Sequence, residues 1–166
     1  MRDNSLNWSK LFAMQRNLDA YITENHQLEN EPLFEPKILA LLVELGELAN
    51  ETRCFKFWST KKGAARDVIL EEYVDNIHFL LSLGIEKGYE FETIETKDTT
   101  KNETEQFNDV FRLAIKFYDE QSETTYKQLV ENYIQLAKVL GFSEQDIMKA
   151  YIEKNEVNYE RQKSGY

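Results

Sequence analysis

VILEEYVDNIHFLLSLGIEKG, residues 68–88, is the stretch on which the fold turns. Its apolar residues recur at three- and four-residue steps, it contains no proline, and it closes on Gly88, a residue suited to the left-handed turn that ends a helix. The spacing predicts one long helix with its stop at Gly88. Inside it stand Glu72 and Asp75, three residues apart and therefore on one helical face. A second run repeats the anomaly: LLVELGEL, residues 41–48, is leucine-rich yet carries Glu44 and Glu47 at the same spacing. A carboxylate withdrawn from water without a partner is costly, so it pairs, protonates or binds a metal.

The flanking chain reads as helices too. Leu11, Met14, Leu18 and Ile22 mark a first helix, and after the polar connector ENHQLENEPLFEP, Pro36 falls in the first turn of a second. That second helix carries Ile38, Leu41, Leu42, Leu45 and Leu48 and fades at RCFKFWSTKKG, a basic and aromatic connector ending at Gly63. Gly46, between the two glutamates, is expected to allow close helix packing. Residues 91–105 are threonine-rich, acidic and poor in apolar side chains, and read as a loop or insertion. Residues 106–119, 124–140 and 144–161 look helical, with Gly141 as a stop and Ser143 with Asp146 as a capping box. Neither repeats nor paired strands are evident. The expected architecture is one all-α domain over residues 1–166, a bundle of about six helices with a variable region around 92–123.

Composition narrows the function. The chain has 166 residues, 42% of them hydrophobic, enough for one real core. Its net charge of −10 argues against duplex nucleic acid, because phosphate binding needs a basic face. A small anion bridged by metal ions fits such a surface. One cysteine, Cys54, precludes an intramolecular disulfide, and MRDNSLNWSK lacks the apolar core of a secretory signal, so a cytoplasmic protein is expected. No aliphatic run approaches the roughly 20 residues that span a bilayer, and no membrane partner is expected.

With 30 acidic residues, acid-x-x-acid pairs arise by chance. Glu92/Glu95, Glu95/Asp98, Glu120/Glu123 and Glu153/Glu156 sit in polar surroundings and read as solvated faces. Glu44/Glu47 and Glu72/Asp75 sit in apolar helices, and if those helices pack together, four carboxylates converge. At about 4 Å and an effective dielectric of about 20, each like-charge contact costs about 4 kcal/mol. Divalent cations relieve that, and all-oxygen ligation selects Mg²⁺, or Mn²⁺, with a polyphosphate substrate completing the shell. The rival metal reading, a di-iron bundle, needs two Glu-x-x-His units. Asp75 and His78 offer one near-match, whereas His26 has no acid three positions before it.

Glu44-x-x-Glu47, twenty-four intervening residues, then Glu72-x-x-Asp75 resembles the ExxE/ExxD signature of the all-α nucleoside triphosphate pyrophosphatases. FKFW at 55–58, DNIHF at 75–79 and KNEVNYERQKSGY at 154–166 resemble, within that superfamily, the dimeric dUTPases. The resemblance implies a homodimer that hydrolyses dUTP, and dUDP, with Mg²⁺ held by Glu44, Glu47, Glu72 and Asp75. It implies a general base at Glu47, with Glu44 similarly placed, and phosphate contacts from Lys154, Asn158, Arg161 and Tyr166. Lys56 is a further candidate for phosphate.

Base recognition is expected from the first helix. Uracil offers two carbonyl acceptors and an N3–H donor, so Gln15 can donate to a carbonyl and Asp19 can accept from N3–H. His78 joins the substrate-binding set through the DNIHF motif, and Phe79 and Trp58 are candidates to stack on base or sugar. The ExxE/ExxD signature alone also fits dCTP-hydrolysing and MazG-like relatives. A non-enzymatic reading stands beside these: a phage-type helical bundle that captures a repressor protein through the 92–123 region.

Overall fold

The structure, a computed structural model, describes residues 6–165. Six helices and no strand occur among them: α1 (Trp8–Asn25), α2 (Phe34–Thr52), α3 (Arg66–Lys87), α4 (Glu103–Asp119), α5 (Glu123–Leu140) and α6 (Glu144–Lys163). The helix around which the rest assembles is α3, which packs on α1, α2, α5 and α6, while α4 closes the far side against α5 and α2. Its side chains explain this. Tyr73, Val74, Ile77, Leu80, Leu81 and Leu83 are all buried, so more than one face of α3 is apolar and more than one neighbour is needed to cover it. Each fully buried leucine or isoleucine contributes about 1.5–3 kcal/mol.

Boundaries follow local chemistry. Gly88 and Gly141 take left-handed φ values of 75° and 84° and stop α3 and α5. Ser143 and Asp146 form the expected capping box on α6, and Asn102 with Glu105 forms another on α4. That second box starts α4 three residues before the apolar periodicity becomes visible, because its first turn, Glu103–Glu105, is entirely polar.

Two buried contacts lock α3 to α5. Tyr73 and Tyr133 stack at 4.4 Å between ring centroids, and each hydroxyl donates to the other residue's carbonyl oxygen, at 2.8 and 2.5 Å. At Gly84 the absence of a side chain admits Tyr126, whose hydroxyl donates to the Leu80 carbonyl at 2.7 Å. Gly46 has no such role. A Cβ there would meet nothing within 4 Å, which overturns the close-packing expectation.

The 92–123 region holds an irregular connector followed by the expected helix. The connector after α3 lacks regular structure as far as Asn102, yet it is docked on the bundle. Phe91 is buried against the edges of Trp8 and Phe12, and Ile94 packs on the core. The remainder includes α4, which buries Phe107, Val110, Ala114 and Phe117. This region is therefore structural, and removing it would open the core. None of the described helices is long and apolar enough to cross a membrane.

Candidate active site

A cavity of about 400 Å³ lies where α1, α2, α3 and α6 face one another. Helical spacing builds it. Gln15, Leu18, Asp19 and Ile22 line it from α1, and Asp75, His78, Phe79 and Ser82 line it from α3. Lys37 and Glu44, two turns apart, come from α2, and Asn158, Arg161 and Gln162 come from α6.

At one end the carboxylates converge. Single oxygens of Glu44, Glu72 and Asp75 all lie within 4.8 Å of one another, joining α2 to α3. Glu44 Oε2 and Glu72 Oε2 are buried and have no hydrogen-bond partner. Burial, then the neighbouring Asp75, Glu47 and Glu72, raise the Glu44 pKa to about 7. Burial, then Asp75 and Glu47, raise Glu72 to about 6. Crowded, partly orphaned carboxylate oxygens are the donor set of a hard divalent cation, and the residues present fit one.

Glu47 is not one of these three, but its side chain hydrogen-bonds Glu44. It is exposed on α2, one turn beyond Glu44, and its charge reaches both Glu44 and Glu72. Lys154 lies behind Asp75: its Nζ sits 2.9 Å from Glu71 and 3.1 Å from Asp75, with the side chain 8% exposed. Burial works against that charge, but Glu71 and Asp75 outweigh it and raise the Lys154 pKa. Lys154 therefore lines a separate groove between α3 and α6, while Asn158 and Arg161, one and two turns further along α6, reach the cavity wall. The Arg161 charge bears on Asp75.

Other residues of the cavity wall form a hydrogen-bond network. The Gln15 amide nitrogen donates to Asp19 Oδ1 at 2.9 Å, and Ser82 Oγ donates to Asp19 Oδ2 at 2.8 Å. A carboxylate acceptor fixes the Gln15 amide so that its carbonyl oxygen points inward. There it accepts from the Tyr151 hydroxyl at 2.8 Å and lies 2.7 Å from His78 Nδ1. His78 Nδ1 must then carry the proton, leaving Nε2 bare, buried and without a partner. Burial, and then the Lys154 charge, push the His78 pKa down to about 3, so the ring is neutral, and it stacks on Tyr151 at 4.2 Å.

The remaining expected residues lie elsewhere. Lys56 and Trp58 are absent from the cavity wall: Trp58 is 64% exposed and Lys56 sits over the Phe55 ring, both in the connector after α2. Tyr166 falls outside the described residues. Gly165 just before it has a left-handed φ of 78°. Lys37, Ser82 and Tyr151 went unnoticed in the sequence. Ser82 repeats the Asp75 face one heptad on, and Lys37 repeats the Glu44 face one heptad back, so helical spacing carried a signal for both. Tyr151 carried none.

The sequence profile of the dUTPase family matches residues 7–166. The chain belongs to this all-α dUTPase family. No curated protein matches it significantly. As a dUTPase it is a dUTP diphosphatase, converting dUTP to dUMP and pyrophosphate, and a metal-dependent one, with a carboxylate cluster to match.

Proposed function

We propose that the cavity binds dUTP with its triphosphate toward Glu44, Glu72 and Asp75 and its base toward Gln15 and Asp19. One observation carries this reading: a single cavity is lined both by Glu44 and Asp75 of the carboxylate cluster and by the hydrogen-bonded Gln15, Asp19 and Ser82. Glu44, Glu72 and Asp75, with Glu47 beside them, would hold Mg²⁺, or Mn²⁺ in its place, which supplies charge neutralisation to the phosphates and acidity to water. Arg161 and Asn158, on the same wall as Asp75, face the phosphates; a guanidinium donates two parallel hydrogen bonds to phosphate oxygens. Lys154 acts through Asp75, holding that carboxylate from behind.

Glu47 is the general base in this reading. It is exposed and can take a proton from water, whereas Glu44 is committed to the cluster. Phe79, half-buried on the α3 face between Asp75 and Ser82, packs against the sugar or base. The diphosphate dUDP fits the same site. The working location is the cytoplasm, and the assembly is the family's homodimer, supported by Leu39 and Val43, which are 63% and 52% exposed one turn apart on α2.

The test is pyrophosphate release from dUTP with Mg²⁺, compared with dCTP and dTTP, and orthophosphate release from dUDP. Turnover selective for the deoxyuridine nucleotides, and its loss in Glu47→Gln, is the expected result. Wild-type turnover left unchanged by Glu47→Gln would remove Glu47 from the reaction. Sedimentation of the wild type against Leu39→Glu/Val43→Glu tests the dimer.

A further inference from the structure

The base end of the cavity holds one charged group that the reading above leaves unused. Lys37 comes from the first half of α2 and lines the cavity wall together with Asp19 and Ser82. Its side chain is only 16% exposed, and its Nζ donates to Glu86 at 2.9 Å. One of three N–H bonds is thereby used, which leaves two. Burial raises the Asp19 pKa above its ordinary value, Gln15, Lys37 and Ser82 work against that rise, and Glu86 adds to it.

The chemistry of the neighbours decides what this arrangement can read. The Gln15 amide nitrogen gives one hydrogen to Asp19 and keeps a second. Asp19 accepts from Gln15 and Ser82, and each carboxylate oxygen retains a further lone pair. The wall therefore presents donors at Gln15 and Lys37 and an acceptor at Asp19. The edge of uracil runs acceptor, donor, acceptor through its two carbonyls and N3–H. Cytosine runs acceptor, acceptor, donor, so it would set a bare nitrogen against the Asp19 carboxylate and an amino group against the Lys37 ammonium.

We propose that Lys37 is a specificity-determining residue that donates to a uracil carbonyl and thereby excludes cytosine, completing a three-point edge with Gln15 and Asp19. This rests on the placement of the base proposed above. The discrimination comes from burial. A polar edge shielded from water leaves the mismatched base with two unpaired or repelled groups, and sites built in this way reject analogues by several orders of magnitude. Thymine presents the same edge as uracil, so Lys37 cannot separate those two.

That equivalence supplies the control. Binding of dUMP, dTMP and dCMP to the metal-free protein is measured by calorimetry for wild type, Lys37→Met and Lys37→Arg, with no dependence on turnover. Wild type is expected to prefer dUMP over dCMP. Lys37→Met should weaken dUMP and dTMP about tenfold or more in parallel, leave dCMP nearly unchanged, and so narrow the dUMP to dCMP ratio while the dUMP to dTMP ratio stays constant. Lys37→Arg, which keeps a cationic donor, should restore most of the preference. Overturning results are a wild type without preference for dUMP over dCMP, equal weakening of all three nucleotides in Lys37→Met, or an unchanged ratio. Because hydrolysis is scored separately, a wild type that hydrolyses dUTP but fails these ratios removes Lys37 and leaves the dUTPase reading intact.

Discussion

The two ends of the cavity solve opposite problems. At the base end the polar atoms of Gln15, Asp19 and Ser82 are paired within the protein, and one buried acceptor, His78 Nε2, is left over. At the phosphate end three carboxylates crowd together and two buried oxygens have no partner at all. A network tied together by its own hydrogen bonds holds its shape before any ligand arrives, as base discrimination requires. A cluster of like charges is unstable by itself and is completed only from outside. One end is preorganised by its own bonds, the other by a deficit.

The largest expected effect breaks the deficit. Glu72→Gln should lower kcat/KM for dUTP by about a thousandfold through loss of charge at the phosphate end. The same substitution should raise the melting temperature of the metal-free protein, because a like-charge contact disappears. Pyrophosphate release and thermal unfolding read the two halves of this statement; a metal-free melting temperature that falls would show that the cluster is not strained.

Breaking the other end should do the reverse. Gln15→Leu removes the hub of the network and leaves Asp19 and the Tyr151 hydroxyl each short of a partner, at a cost of about 2–4 kcal/mol in urea unfolding. If stability is unchanged, the network is not what holds α1, α3 and α6 in register.

A pH series sharpens the contrast. The raised pKa values, about 7 for Glu44 and about 6 for Glu72, mean that the folded metal-free state keeps protons that the unfolded chain releases above its ordinary value of 4.5. Their contribution to stability therefore falls as pH rises from about 4.5 to about 7. His78 contributes with the opposite sign. Its pKa is depressed to about 3, so its contribution is present above the ordinary value of 6.5 and is lost as pH falls toward 3. The difference between wild type and Glu44→Gln isolates the carboxylate part, and it should shrink when Mg²⁺ is added. The smallest expected effect is Ser82→Ala, which takes one donor from Asp19 and should cost about 1 kcal/mol, because the Gln15 bond remains.

Legibility followed physical range. Helical periodicity in residues 68–88 and 41–48 is a local property, and it determined an all-α bundle with α3 apolar on more than one face, together with the stops at Gly88 and Gly141. The two acid pairs were conspicuous for the same reason, since a charge in an apolar helix stands out within one turn. The capping box that starts α4 was less visible, because its first turn is polar and carries no periodicity. Within the protein Asp19 accepts from Gln15 and Ser82, donors 4 and 63 residues away in the chain.

Only the tertiary structure decided the rest. It brought oxygens of Glu44, Glu72 and Asp75 within 4.8 Å of one another, and it set Lys154 against Glu71 and Asp75. It left Trp58 exposed in its connector and brought Lys37 to the wall that carries Asp19. Spacing along one helix places side chains on a face, but which face meets which neighbour depends on how helices pack, and packing is settled by the whole buried surface. The kinds of residue needed to bind a nucleotide were therefore written locally in the chain. Which of them meet was decided by the bundle.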